Sequence, residues 1–152
     1  MPALAIIQLV AGVLSALLAG LYLAFSLAVM PALARLPDRL LVTVMQTVNR
    51  VIVRPAFALV FLGAPLGALA AAVLALVVGA PPVPVVLGAL LQVASLGVTL
   101  AVNIPLNTAL DRADPDDAGD VVRAREAFER PWNRAHAVRT VLTTVGAVAL
   151  LA

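Results

Sequence analysis

Four long runs of apolar residues constrain the fold of this chain more than any other feature of its sequence. They cover about residues 3–30, 55–78, 85–103 and 135–152. A helix needs roughly 20 mostly apolar residues to cross a hydrocarbon layer of about 30 Å, and its backbone polar groups must be paired inside that layer. We therefore predict an all-α bundle of four transmembrane helices. Little chain remains outside the runs, so residues 1–152 are expected to form a single integral membrane domain.

Composition agrees with a membrane protein and excludes several kinds of chemistry. Hydrophobic residues make up 63% of the chain and charged residues 12%, far from the usage of soluble domains. The first run is too long for a signal peptide and no basic residue precedes it, so we expect it to be retained. The sequence has no cysteine, which excludes disulfides, thiolate chemistry and cysteine-ligated metal or haem.

The basic residues predict how the chain is oriented in the membrane. All ten are arginines, and they stand between the first two runs or between and just inside the last two: Arg35, Arg39, Arg50, Arg54, Arg112, Arg123, Arg125, Arg130, Arg134 and Arg139. The positive-inside rule places these connections in the cytoplasm and both termini outside, and we expect a bacterial cytoplasmic membrane. Nucleic-acid binding is not expected, because the net charge is only +2 and seven acidic residues lie between Asp111 and Glu129.

Polar and small residues keep a helical spacing in the first and third runs. In the first run they are Gln8, Gly12, Ser15, Ala19, Tyr22 and Ser26, and in the third they are Gln92, Ser95, Thr99, Asn103 and Asn107. Steps of three and four place each set on one face. Small residues are typical of helix packing in membranes, whereas amides facing lipid would be unpaired. The third run must turn its polar face inward, and we expect Asn103 and Asn107 to line a cavity with Gln46 or Asn49.

The connection between the first two runs is predicted to hold a short amphipathic cytoplasmic helix. The first helix is expected over about residues 3–34, with Met30-Pro31 closing its membrane span. Residues 38–53 form the amphipathic helix with Asp38 as its N-cap, and Pro55 then bends the chain into the second membrane helix. Across the membrane, residues 79–84 form a turn that contains three prolines.

The connection before the last run is predicted to be an acidic turn followed by a second short surface helix. Residues 111–120 form a solvated turn, and calcium binding is less favoured because no recognisable ligand spacing is present. Residues 120–130 form the surface helix with Asp120 as its cap. Pro131 is expected to begin the last membrane helix.

The start of the last run carries the densest group of polar and aromatic side chains, namely Trp132, Asn133, His136, Arg139 and Thr140. Ionisable groups beside a bilayer are costly unless they face protein or water, so they are functional candidates by default. In an up-down-up-down bundle they share one depth with Tyr22, Ser26, Gln46, Asn49, Asn103 and Asn107. That convergence predicts one cavity near the cytoplasmic end.

These residues stand in a pattern that resembles the anthrone oxygenase-like family of small membrane proteins. The pattern comprises Gly20-Leu-Tyr22-Leu-Ala-Phe25-Ser26, Met30-Pro31, Met45-Gln46-x-x-Asn49, Pro55-x-Phe57, Asn103-x-Pro105-Leu106-Asn107 and Phe128-x-x-x-Trp132-Asn133-x-x-His136-x-x-Arg139-Thr140. The resemblance implies a four-helix membrane bundle. For fungal polyketide-pathway members it implies oxidation of an anthrone to an anthraquinone by O2, without a cofactor.

The resemblance implies a small hydrophobic aromatic substrate and O2 as partners, and roles for the clustered side chains follow from that chemistry. His136 titrates nearest neutrality and is the candidate base, while Arg139, Asn103 and Asn133 are candidate donors to an oxyanion. Aromatic walls are expected from Tyr22, Phe57 and Trp132. The remaining predicted binding residues are Gln46, Asn49, Asn107 and Thr140.

Other classes of protein compete with this interpretation. The same amides and imidazole are compatible with a structural polar core in a membrane accessory or partner-binding protein. A metal or haem site is not expected, because one chain with a single His and no Cys cannot supply a full ligand set. Four short helices also leave little room for transport. Gly63 and Gly67 form a small-residue pair suited to a homo-oligomer. An enclosed cavity lined by Asn103, His136 and Arg139 would favour chemistry, and a collapsed polar seam would favour the structural role.

Overall fold

The computed structural model describes residues 2–81 and 83–152 and is all-helical over those ranges. Its five helices are α1 (Pro2–Leu33), α2 (Asp38–Ile52), α3 (Pro55–Val77), α4 (Val83–Leu110) and α5 (Ala118–Leu151). The predicted turn at residues 79–84 includes Pro82, which lies outside the described residues. Gly79 has a φ of 66°, a left-handed conformation that glycine adopts without steric cost.

Helices α1, α3, α4 and α5 form the bundle, in which α1 packs on α3 and α5, and α4 packs on α3 and α5. Small residues allow close approach, as at Ala11, Ala68 and Ala71, which are fully buried. Large apolar side chains such as Leu66 and Val148 point outward instead. Small side chains inside the bundle and large apolar side chains on its surface are the arrangement that a lipid environment requires.

Three of the four predicted membrane helices are confirmed as long and apolar enough to cross a bilayer, namely α1, α3 and α4. The fourth predicted run lies within α5 as a helix, but α5 is not among those three. The polar side chains of Arg134, His136 and Arg139 lower the apolar content of this part of α5. A membrane crossing by α5 therefore stays a prediction.

Two π-helical turns, Phe25–Val29 in α1 and Thr99–Asn103 in α4, each precede a proline. Helix α1 passes Met30-Pro31 and ends at Leu33, close to the predicted helix end at Ala34. A proline lacks an N–H and collides with the carbonyl four residues back. In each π turn the bond reaches five residues back instead, from Met30 N–H to the Phe25 carbonyl and from Ile104 N–H to the Thr99 carbonyl. The wider turn lets each helix pass its proline unbroken.

Helix α5 is one continuous element of 34 residues, about 51 Å long at 1.5 Å per residue. The prediction of a separate surface helix over residues 120–130, with a new helix at Pro131, is therefore wrong. Pro131 lies inside α5. The buried side chains of Phe128 and Trp132 flank it and pack into the same apolar cluster as Met45. Tertiary packing thus holds the helix together where the local sequence predicts a break.

The helix caps also differ from their prediction. Asp117, not Asp120, caps α5, accepting the backbone N–H of Asp120 at 2.9 Å. The N–H donors of Asp120 and Gly119 hold the pKa of the Asp117 carboxyl below its ordinary value. Asp38 makes no capping bond at α2. It accepts a hydrogen bond from Arg125 at 2.7 Å instead.

Arg125 joins three segments at the end of the bundle where α2 lies. Its guanidinium donates to the carbonyls of Ala34 and Leu36 at 2.9 and 2.8 Å, and its Nε donates to Glu129 at 2.7 Å. The bond to Glu129 is the main cause that raises the pKa of Arg125. Together with the bond to Asp38, these contacts fix α5 against the end of α1 and the start of α2.

Candidate active site

A cavity of about 390 Å³ lies at the α2 end of the bundle, and all five helices contribute to its lining. Its deep wall consists of Tyr22 from α1, Thr99 from α4, and Trp132, His136 and Arg139 from α5. Its volume falls within the range of about 300–1,000 Å³ that is common for small-molecule sites. The lining is mostly apolar, with a few polar groups at defined positions.

His136 is held by neighbouring aromatic rings and by hydrogen bonds at both ring nitrogens. Its ring stacks on Trp132 with centroids 4.6 Å apart and is T-shaped to the Tyr22 ring at 5.4 Å. Arg139 donates to Nδ1 from Nε at 3.0 Å and from Nη2 at 2.8 Å. A guanidinium has no acceptor, so Nδ1 must carry the lone pair. Nε2 then holds the proton and donates it to the Tyr22 carbonyl at 2.9 Å. The imidazole is therefore neutral, with a fixed tautomer.

Arg139 is a buried cation, with only 8% of its surface exposed. Its Cζ lies 4.3 Å from the centre of the Tyr22 ring and 5.4 Å from that of Trp132, within range for cation–π attraction. Nη1 donates to Thr99 Oγ1 at 3.2 Å. No ion pair to Arg139 exists among residues 2–81 and 83–152. The positive charge is met by the two ring faces, the Nδ1 lone pair of His136 and the hydroxyl of Thr99.

The outer part of the cavity is lined by two amides and a carboxylate. Trp132 Nε1 donates to Asn107 Oδ1 at 2.8 Å, which fixes the indole plane. Asn49 Nδ2 donates to Asp111 Oδ1 at 3.2 Å. Both amides and Asp111 belong to the lining. The cavity therefore has a positive group on its deep wall and a negative group near α2.

The polar face of α4 turns inward onto α5, as its spacing predicts. Gln92 donates to the Thr143 carbonyl at 3.1 Å and Ser95 to the Arg139 carbonyl at 3.2 Å. The side chains of Gln92, Ser95, Thr99 and Asn103 are all buried.

Six of the ten predicted site residues line the cavity, and four lie outside its lining. The six are Tyr22, Asn49, Asn107, Trp132, His136 and Arg139. Asn103 is fully buried and donates to the Trp132 carbonyl at 3.3 Å. It holds the backbone of Trp132 and does not face a ligand space, so the expectation that it lines the cavity is wrong. Its Oδ1 has no hydrogen-bond partner among the described residues.

The other three residues outside the lining have different surroundings. Gln46 donates to the carbonyls of Leu110 and Ala113 at 3.0 and 2.9 Å, bracing the end of α4 against α2. Thr140 donates to the His136 carbonyl at 2.7 Å within α5. Asn133 is half-buried. Gln46 therefore does not join Asn107 in the cavity, whereas Asn49 does.

Sequence reasoning missed two lining residues that periodicity points to. Asp111 follows Asn103 and Asn107 by one further step of four, although the acidic residues after it predict a solvated turn. Phe25 follows Tyr22 by a step of three and lies 6.1 Å from His136, centroid to centroid. Within the described ranges, no three His, Cys, Asp or Glu side chains come together as a metal site.

The fold and the cavity define a class, namely a small helical integral membrane protein with an aromatic-lined ligand space inside its bundle. Within that class the chain belongs to the anthrone oxygenase family, whose sequence profile matches residues 54–149. The matched segment includes Asp111, Trp132, His136 and Arg139. No curated protein and no solved structure matches the chain.

Proposed function

We propose that this protein oxidises an anthrone-type aromatic to the corresponding quinone with O2, using no bound cofactor. The observation that carries the proposal is Arg139, a buried guanidinium on the cavity wall with no carboxylate partner in the described chain. Buried charges are costly unless paired. An aromatic oxyanion formed in the cavity would supply the missing partner.

The chemistry balances with O2 as the single oxidant. Removal of a proton from the carbon between two aromatic rings gives an electron-rich anion whose charge is delocalised onto the former carbonyl oxygen. That anion passes one electron to O2, and the radical and superoxide combine into a carbon-bound peroxide. Loss of the second hydrogen from that carbon with cleavage of the O–O bond leaves a ketone. One anthrone and one O2 thus give one quinone and one water.

His136 and Arg139 are placed to act in sequence on this reaction. His136 Nδ1 has a lone pair, but two N–H groups of Arg139 occupy it. When the guanidinium turns to the developing oxyanion, the lone pair becomes free to accept the proton. A single movement of the Arg139 guanidinium then both stabilises the negative charge on the substrate and frees His136 to act as the base. In a water-poor site such fixed donors act more strongly than in solution.

The aromatic side chains supply a flat apolar space for the rings. Trp132 and His136 are stacked at an interplanar angle of 12°, and Phe57 and Phe61 are stacked with centroids 5.3 Å apart. All four line the cavity. His136 and Arg139 line this cavity and Asn103 lies outside its lining, so two of the three residues expected there support the enzyme over the accessory-protein alternative, which needs only a collapsed polar seam.

The four-span topology forms part of the proposal. The second half of α5 shows the same inverted pattern as the other spans, with Val141 and Val148 exposed. At the end opposite the cavity, Gln8 donates to the Leu150 carbonyl at 2.9 Å, so α5 runs the full depth of α1. With α5 as the fourth crossing, the cavity opens toward the arginine-rich side, which we place in the cytoplasm.

The test is oxygen consumption by the purified protein in detergent with anthrone as substrate. Because anthrones oxidise slowly by themselves, the rate without protein is the baseline. With ¹⁸O2, one labelled oxygen should appear in the quinone and the other in water. A rate equal to the baseline in folded protein would refute the proposed function.

A further inference from the structure

We infer that the cavity also opens sideways into the hydrocarbon layer, through a gap between α3 and the last part of α4, and that apolar ligands enter it from the membrane. In the ligand-free protein a lipid acyl chain fills this gap. The inference concerns how a ligand reaches the cavity and is independent of the reaction that takes place there. It requires only that α3 and α4 cross the membrane, for which both are long and apolar enough.

Helices α3 and α4 pack together at one end of the bundle and separate toward the other. Away from the cavity, Ala71 and Ala75 of α3 belong to one buried cluster with Val85 and Ala89 of α4. Toward the cavity, the first part of α3 packs on α1 instead, and the last part of α4 packs on α2 and α5. Within residues 2–81 and 83–152, the apolar cluster at that end of α4 contains no residue of α3. The two helices therefore form separate edges of the cavity.

Both edges of the gap carry exposed side chains that belong to the cavity lining. At the α3 edge, Val53 and Leu62 have exposed fractions of 79% and 45%, and at the α4 edge Ile104 has one of 42%. Ala58, the smallest side chain of the lining, stands between Val53 and Leu62 along the chain. Leu62 and Ile104 lie inside two candidate membrane spans, so the surface that they expose contacts lipid. The cavity is thus continuous with the lipid-facing surface of the bundle.

The side of the cavity that faces α2 is held together by hydrogen bonds, in contrast to the gap. Gln46 donates to the carbonyls of Leu110 and Ala113 at 3.0 and 2.9 Å. Asn49 donates to Asp111 at 3.2 Å. These bonds join α2 to the end of α4. A ligand arriving from water has to pass this polar rim, whereas an apolar ligand dissolved in the bilayer can enter the gap without exposing its surface to water.

The single tryptophan of the chain can report on the gap. Trp132 lines the cavity and is only 3% exposed, so a quencher on a lipid chain reaches it best through an opening in the bundle. The purified protein is placed in phosphatidylcholine vesicles whose acyl chains carry bromine, a short-range quencher, in the half nearest the headgroup. Ala58→Phe and Ile104→Phe narrow the gap from its two edges. The matched control is Ala56→Phe, which enlarges an exposed residue of α3 outside the lining.

Brominated lipid should quench wild type and Ala56→Phe to the same extent, and the two gap variants should lose most of that quenching. When anthraquinone is mixed with unbrominated vesicles, its quenching of Trp132 should begin more slowly in the gap variants than in wild type. Acrylamide, a water-soluble quencher, should act equally weakly on all four proteins. A melting curve checks folding, and Ile104→Phe alters an exposed side chain, so it tests the gap even if Ala58→Phe does not fold.

Absence of quenching by brominated lipid in wild type would overturn the inference, as would undiminished quenching in Ile104→Phe. Undiminished entry of anthraquinone in the gap variants, or stronger quenching of wild type by acrylamide than by brominated lipid, would place the entrance on the aqueous side and overturn it too. None of these measurements involves turnover, so their outcome is separate from that of the oxygen-consumption test.

Discussion

Arg139 directs two of its N–H groups, Nε at 3.0 Å and Nη2 at 2.8 Å, at one nitrogen of His136. In the resting protein the candidate base is therefore blocked by the cation beside it. A ligand that draws the guanidinium away changes both residues together. This pair is the part of the site in which a catalytic role and a structural role make different predictions.

Replacing His136 with Ala should lower the oxidation rate by about 10²–10⁴-fold, the usual worth of general acid–base assistance. The measurement is oxygen consumption with anthrone, beside a melting curve. Val138→Ala is the matched control, since it trims an exposed side chain on the same helix. Full activity in His136→Ala would end the base assignment. A melting temperature that falls in step with activity would assign His136 to the packing of Trp132 and Tyr22 instead.

Replacing Arg139 with Met should separate activity from stability. Loss of the oxyanion partner should lower the rate by about 10²–10³-fold. The melting temperature should stay level or rise, because an unpaired buried charge is removed while the apolar stem is kept. A large drop in melting temperature would contradict the view that this cation is retained for function.

Arg139→Lys tests the shape of the donor at constant charge. Lysine lacks the planar fork that reaches one acceptor with two N–H groups. We expect oxygen consumption between that of wild type and that of Arg139→Ala. A rate equal to wild type would show that charge alone is sufficient and that the two-bond geometry is incidental.

Gly88→Ala should destabilise the contact between α4 and α5. A Cβ at Gly88 would lie 2.7 Å from Leu150 Cγ and 3.1 Å from the Gly146 carbonyl oxygen, and overpacking of this kind costs about 1–3 kcal/mol. The control is Gly97→Ala on the same helix, where an added Cβ would meet no side chain and no neighbouring helix of the described residues within 4 Å. That variant should gain up to about 1 kcal/mol of helix propensity. Unfolding of both in detergent is the measurement, and equal shifts would contradict the packing argument.

The topology can be tested cleanly because the chain has no native cysteine. Single cysteines at Pro81 and Asp116 mark the two exposed ends of the bundle. With a membrane-impermeant maleimide, Pro81→Cys should react in intact cells and Asp116→Cys only after the cells are opened. The reverse pattern would invert the protein, and labelling of both sites in intact cells would remove a crossing.

Regular features of the fold were predictable because one physical rule governs each of them. The stripe through Gln92, Ser95 and Thr99 had to face protein, since amides and hydroxyls have no partners in lipid. The effect of the prolines on the helices was harder to predict. Pro105 and Pro131 locally suggest an interruption, yet a π turn accommodates the first and packing of Phe128 and Trp132 flanks the second. Local sequence does not reveal such compensation.

The depth of the site and most of its residues could be predicted from the sequence. Which of the neighbouring residues line the cavity could not. Periodicity brings Asn103 and Asn107 to one face, but the first supports Trp132 and only the second reaches the cavity. Asp111 is exposed, as the acidic residues after it predict, yet it also belongs to the cavity lining. Its place in the lining depends on where α2 docks, which is a tertiary contact between segments about sixty residues apart.

The Phe25–Val29 π turn holds one residue more than an α-helical turn, and it takes up that residue while keeping the two parts of α1 in phase. In an unbroken α-helix one extra residue would rotate one part of α1 against the other by about 100°. The π turn thereby keeps the Tyr22 carbonyl at Nε2 of His136 and the ring of Tyr22 beside Arg139. A related chain shorter by one residue here is expected to have an α-helical turn in its place and to present the same face of its first helix to the cavity. Its α1 therefore has to be aligned with a one-residue gap inside this turn.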